Sequence, residues 1–417
     1  MTGNPVIVAV PMKERRSVAV GIWVKVGGRD EEPRLNGVSH FLEHIVFKGT
    51  SKRSTHQIKE AVEGVGGSLN AFTGEEATCF LAKVSNRHFE TVFDVLSDMV
   101  FNATLDAKEI DKERSVILEE VKMTQDQPSG LVDELLSEIV WPGHALGRPL
   151  AGTVESVGGL TRADILNYKK RFYTPGFMTV VAAGAVEQKK LEKMVQNYFP
   201  SSHHASADKK IDCFSVGAGE RFKFLTKPTE QTHLAIGLHS LPNNHPDEYA
   251  LDILNILLGG NMSSRLFNEV REERGLAYDI GSHTKKYHET GAFVVEAGVD
   301  HQKAKEAIEV ILSELKKTAE YPVSNDELKR SKEFYLGQLD LSLESSMNQM
   351  LWAGESIVSS GKRQSYEEVQ DHVEKIGADD LKRVAKMIFQ SRSLHLAVVG
   401  PKVEALGKDF SHFLSII

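Results

Sequence analysis

The apolar and polar positions of this chain run through the same rhythm twice. Residues 18–24 and 234–238 are apolar runs that read as half-buried strands. Each is followed by a helical pattern that stops at glycine, the first starting at Asn36 as its cap and ending at Gly49, the second spanning 248–258 and ending at Gly259 and Gly260. Another helix, a strand pair (68–85 and 278–299) and a long amphipathic helix (86–101 and 302–318) follow in both halves. Each half then closes on a strand, 180–184 and 396–400, with a short helix behind it. The expected fold is α+β: two homologous domains from an internal duplication, each a mainly antiparallel sheet packed with helices. The boundaries read as 1–200 and 220–417, with residues 201–219, rich in Ser, His, Gly and Asp, as the linker.

Composition supports two soluble cores. The chain has 417 residues, 41% hydrophobic and 26% charged, enough for two separate domains. A formal net charge of −8 and the lack of a basic stripe with interleaved aromatics argue against a nucleic-acid partner. No apolar run is long enough for a membrane span, and none follows a basic start as a secretion signal would, so no membrane association and a cytoplasmic location are expected. Two cysteines, Cys79 and Cys213, lack metal-ligand spacing and read as plain thiols.

The chemistry concentrates in His40-Phe41-Leu42-Glu43-His44, an H-x-x-E-H box that inverts the commoner order of a zinc motif. On a helix, positions four apart project to one side, so His40 and His44 can offer two imidazole nitrogens to one ion. Glu43 lies on the same side without being needed as a ligand, where a general base can take a proton from an attacking water. Two buried histidines beside a stray glutamate is the plainer alternative, and a third ligand decides between them.

That ligand is sought in residues 106–127, where Asp106 and Glu109 resemble a capping box and the apolar spacing is helical. At about 100° per residue, Glu113, Ile117 and Glu120 share one face while Glu119 points away. A carboxylate on an apolar stripe calls for a cation. Glu120 is therefore assigned as the third ligand and Glu113 as a supporting group behind the histidines. A pair of solvated charges is the competing reading. The pair His203 and His204 in the linker reads as solvated rather than metal-binding.

With His40, Glu43, His44 and, 76 residues on, Glu120 in place, the chain resembles the inverted-motif zinc peptidases related to pitrilysin, insulysin and the mitochondrial processing peptidase. Phe47-Lys48-Gly49-Thr50 and residues 66–73 are similar to the bacterial and mitochondrial processing branch. The resemblance implies a zinc endopeptidase with one Zn2+ per chain that cuts short or unfolded peptides in an enclosed chamber. It implies that residues 66–73 form an edge strand, with Asn70 and Ala71 presenting backbone groups to substrate and Phe47 nearby. Arg271 and Tyr278, seven residues apart, match a pair that contacts substrate near the scissile bond. In a homodimer, the partner implied for a chain of this length, they would complete the zinc site of the facing subunit. Acidic residues after the third ligand select arginine in processing relatives. Glu134, next to Asp133, falls in that region, but another such position is Gly130, which leaves an arginine requirement open; Asp133 reads equally as a helix cap. The alternatives are a non-hydrolysing peptide-binding or structural subunit of the same fold, or the active half of a heterodimer.

The second half lacks the metal motif. Placing Gly49 on Gly259 puts Ala250, Ile253 and Leu254 where the first half has His40, Glu43 and His44, so a single site is expected at this position of the repeat.

Overall fold

The computed structural model describes residues 3–200, 213–214 and 219–417; most of the expected linker, with His203 and His204, lies outside the described residues. The chain forms two compact units. One is built on a five-stranded sheet of β1 (Val6–Pro11), β2 (Ser17–Val24), β3 (Ser68–Thr73), β4 (Thr78–Ser85) and β5 (Met178–Gly184), in the order β1-β5-β2-β4-β3. The other uses β6 (Phe222–Thr226), β7 (Thr232–Ser240), β8 (Ala277–Lys286), β9 (Gly291–Val299) and β10 (Leu394–Gly400), in the order β6-β10-β7-β9-β8. Adding five to each strand number of the first sheet reproduces the second. Among the described residues, only β1 with β5 and β6 with β10 pair in parallel; every other pairing is antiparallel. The duplication read from the apolar rhythm is thus a duplication of topology.

The units are not two contiguous halves of the chain. All strands of the first sheet precede residue 201 and all strands of the second follow residue 219, but two helical segments cross over. Met123–Gly147, with the Pro128–Val140 helix, belongs to the second unit, and Asp340–Gln364, with the Ser346–Ser360 helix, belongs to the first. The crossing helices correct the reading of the central strands as half-buried. β2 is buried at every residue after Ser17 because helices cover both faces of its sheet, and strands covered on both faces need apolar side chains at successive positions.

Packing under the crossing helices is close. On the first sheet, Met350, Ala353 and Ile357 of the crossing helix bury against Ala19, Trp23, Val181 and Ala183. Gly354 lets that helix approach the Trp23 ring, since a Cβ there would come within 2.2 Å of an indole carbon. On the second sheet, Leu136, Ile139 and Val140 pack over Ala235, Val294 and Ala397. The opposite face of the first sheet carries a larger cluster, including Phe41, Leu42 and Ile45 of the Val38–Ile45 helix with Phe80, Val92 and Leu96. This fixes the motif helix against its sheet. Among the described residues, no helix is long and apolar enough to cross a membrane.

Candidate metal centre and its surroundings

The motif helix, Val38–Ile45, starts on a cap that the sequence reading misplaced. Its N-cap is Gly37 in the left-handed region, with φ 92°. Asn36 does not cap the helix; its amide donates instead to Glu31 (3.2 Å) and to the Pro149 carbonyl (3.0 Å). The side chain that serves the free N–H groups at this end is that of Glu31, whose carboxylate accepts from Gly37 (2.7 Å) and Ser39 (2.8 Å). A carboxylate satisfies free N–H groups at a helix start and favours the positive end of the helix dipole. Glu31 is only 4% exposed, and burial pushes its carboxyl up to about 7 against the opposing effect of its three donors. The helix passes into a short turn, Val46–Lys48, and stops at Gly49 with φ 116°.

Phe41, Leu42 and Ile45 turn into the core, which leaves His40, Glu43 and His44 half-buried on the other side. Facing them is the Ala107–Asp126 helix. Ile110, Glu113, Ile117 and Val121 form its buried stripe, while Glu119 is exposed and pairs with Lys122 at 2.7 Å. Glu120 Oε2 lies 3.8 Å from His40 Nε2 and 3.6 Å from His44 Nε2. Asp106 Oδ1 accepts the Lys108 N–H, but Glu109 pairs with Lys112 and does not close the expected capping box.

Two imidazole nitrogens and one carboxylate oxygen, all within 4.8 Å of one another, are the donor set of a catalytic zinc site that keeps a position open. The charge state of His40 fits as well. Burial first, and then neighbouring His44, lowers His40 to about 4, so it is neutral with a lone pair to give near pH 7. His44 Nδ1 lies 3.3 Å from Glu113 Oε2, and Lys48 Nζ lies 2.6 Å from Glu113 Oε1. With its proton on Nδ1, His44 donates to Glu113 and directs Nε2 at the site. His40 Nδ1 is buried without a hydrogen-bond partner. The residues therefore fit a zinc ion, with His44 held more firmly than His40.

Glu43 is fixed by a residue the sequence reading passed over. Thr73 Oγ1, at the end of β3, donates to Glu43 Oε2 at 2.6 Å. Burial raises the Glu43 carboxyl, while the Thr73 hydrogen bond and His44 work against the rise. β3 is the edge of its sheet, with Asn70 opposite Leu81 and Ala71 opposite Phe80 on β4. The Ala71 N–H is taken by Asn70 Oδ1 at 2.9 Å, so an added strand at this point exchanges that hydrogen bond for its own. Phe47 packs half-buried against the core cluster.

Arg271, Tyr278 and Glu134 belong to the second unit. Arg271 sits in the irregular helical turn Phe267–Glu273, its guanidinium 4.6 Å from the Phe267 ring centroid and 5.5 Å from that of Tyr278. Stacking on two rings sets Arg271 apart from its charged neighbours. Tyr278 is 75% exposed, an unusual state for so large an aromatic. Both line a cleft of about 530 Å³ with Ser129, His233, His283 and Glu296. Burial, and then Asp133, raises the Glu134 carboxyl. Asp133 is no helix cap: it accepts from Lys285 Nζ at 2.6 Å.

The chain is similar in sequence and in fold to known proteins. Residues 6–154 match the family model described as insulinase, peptidase family M16, and residues 159–335 match that described as peptidase M16 inactive domain. The chain is 36% identical to an uncharacterized zinc protease of Streptomyces coelicolor, over 96% of this chain and 88% of the relative. It is also 36% identical to the uncharacterized zinc protease YmxG of Bacillus subtilis, over 93% of each. Its fold is similar to the crystal structure of a protease from Helicobacter pylori, with a TM-score of 0.91 and 24% identity over 96% of this chain and 98% of that one.

Proposed function

This chain belongs to the insulinase family, peptidase family M16, and from that premise we propose that it is a zinc-dependent endopeptidase acting on short or unfolded peptides in an enclosed chamber. The observation that carries the reading is the convergence of His40, His44 and Glu120 beside a hydrogen-bonded, non-ligating Glu43. His40, His44 and Glu120 would hold the ion, whose chemistry when bound is to polarise the scissile carbonyl and acidify water. Glu43 takes the proton from the attacking water as its oxygen bonds to the carbonyl carbon. It then delivers that proton to the amine nitrogen as the C–N bond breaks. Thr73 holds one Glu43 oxygen and leaves the other for this transfer. A carboxyl raised by burial is better matched to both halves of the shuttle than one at its ordinary value.

Substrate would extend along the free edge of β3 at Asn70 and Ala71. Arg271 and Tyr278 would steady the developing oxyanion by donating to it, acting across a homodimer on the partner's zinc site. Two tests separate the parts of this reading. Chelation abolishes cleavage of a mixed peptide library and added zinc restores it; cleavage that survives complete zinc removal sinks the metallopeptidase reading. Mixing Arg271→Ala chains with Glu43→Gln chains restores activity in the heterodimer. No recovery from such heterodimers means that the pair does not act in trans.

A further inference from the structure

The cleft that Arg271 and Tyr278 line holds a second set of converging donors. His283 lies on β8 and Glu296 on β9, and the register places Glu296 opposite Gly281 and His283 opposite Val294. Residues two apart on a strand share a face, so His283 and Glu296 are diagonal neighbours on one side of the sheet. Gly281, directly across from Glu296, contributes no side chain to fill the space between them. The Pro128–Val140 helix covers this face and supplies Asp133. One ligand atom from each of Asp133, His283 and Glu296 lies within 4.8 Å of the others.

Two of the three donors are unspent. Among the described residues, neither the His283 ring nor the Glu296 carboxylate has a hydrogen-bond or ion-pair partner, although both are half-buried. Lys285 Nζ donates to Asp133 Oδ1 (2.6 Å) and Ser137 Oγ (3.0 Å), which directs its charge at Asp133 and not at Glu296. A half-buried carboxylate held against a second carboxylate is stabilised by a cation, and an imidazole at the same point selects a metal over another lysine.

We propose that Asp133, His283 and Glu296 form a second divalent-cation site in the second unit, of the zinc or manganese class that takes mixed imidazole and carboxylate donors. The ion shares Asp133 with Lys285 and lies in the cleft that Arg271 and Tyr278 line. Occupied, the site removes acidic charge from that cleft. It is separate from the peptidase zinc site and does not depend on cleavage.

The experiment counts ions instead of reading activity. Full-length protein carrying His40→Ala and His44→Ala is equilibrated with micromolar zinc, and bound metal is measured by plasma mass spectrometry and by calorimetry. One zinc per chain is expected to remain. Adding Glu296→Gln, or separately His283→Ala, lowers the remaining affinity at least tenfold, with the fold checked by circular dichroism. Lys285→Met, which frees Asp133 and removes a competing charge, tightens binding by roughly tenfold or more. No bound zinc in the His40→Ala/His44→Ala protein overturns the proposal. Undiminished binding after Glu296→Gln and His283→Ala overturns it too, since the ion is then held elsewhere. Neither result bears on the peptidase reading, which stands or falls on cleavage.

Discussion

The helix after the second strand of each sheet occupies the same place in two copies of one topology, yet of these two helices the first alone carries the H-x-x-E-H box. In the first unit its outer positions are His40, Glu43 and His44, half-buried and turned toward Glu120. In the second, Ala250, Ile253 and Leu254 take those places and are buried at 4%, 0% and 0% exposure. Strand order and helix position are common to both, so the scaffold by itself confers no catalysis. The difference lies in how each helix spends one face, on half-buried candidate metal donors in one unit and on core packing in the other.

The comparison can be broken from the second unit first. Leu254→Ala removes a fully buried side chain and should cost about 2–5 kcal/mol of stability in denaturant unfolding. It should leave the metal affinity of the folded protein unchanged. A loss of zinc at His40 and His44 without a loss of stability would mean that the two helices do not divide their roles in this way. From the first unit, Glu113→Gln keeps the side-chain shape but removes the anionic acceptor behind His44 and the partner of Lys48. Zinc affinity should fall roughly 10- to 100-fold, as for other groups that orient a ligating histidine. Unaltered affinity would make Glu113 a partner of Lys48 alone.

The smallest effect is one of sign. Glu31 in the first unit has a raised folded value of about 7, so its contribution is present below its ordinary carboxylate value and is lost as pH rises through 7. In the second unit, His395 is lowered to about 4 by burial, with His239 adding to the effect. Its contribution is present above the ordinary histidine value and is lost as pH falls through 4. Relative to Glu31→Gln, wild-type stability should therefore increase as pH falls from 7 to 5. Relative to His395→Gln, it should decrease from 6.5 to 4. Equal slopes in chemical denaturation across these windows would contradict the assigned environments.

What was legible in the sequence was local. Three residues within one helical turn and a half, and a carboxylate placed by the face of a single helix, needed only the helical period to be read. The repeated succession of elements was also readable, because 18–24 and 180–184 in the first half and 234–238 and 396–400 in the second carry their own apolar runs; β6, short and largely exposed, was not read, and neither was the order of the strands within each sheet. Long-range choices were not. Nothing in the spacing of the Pro128–Val140 or Ser346–Ser360 helices says which sheet each covers, and so strands buried on both faces read as half-buried. Asn36 is a fair cap by residue type, but Glu31, from a preceding loop, reaches the free N–H groups first. Thr73 gave no signal beyond its place at the end of an edge strand, since its contact with Glu43 spans 30 residues.

Glu43→Gln decides whether Glu43 transfers the proton beside an ion it does not hold. Zinc content and cleavage of a mixed peptide library, mapped by mass spectrometry, are measured on the same preparations of wild type and variant. Wild-type zinc content is expected, with cleavage reduced by roughly 10²–10⁴-fold or more. Cleavage at the wild-type rate with zinc retained would contradict that role for Glu43.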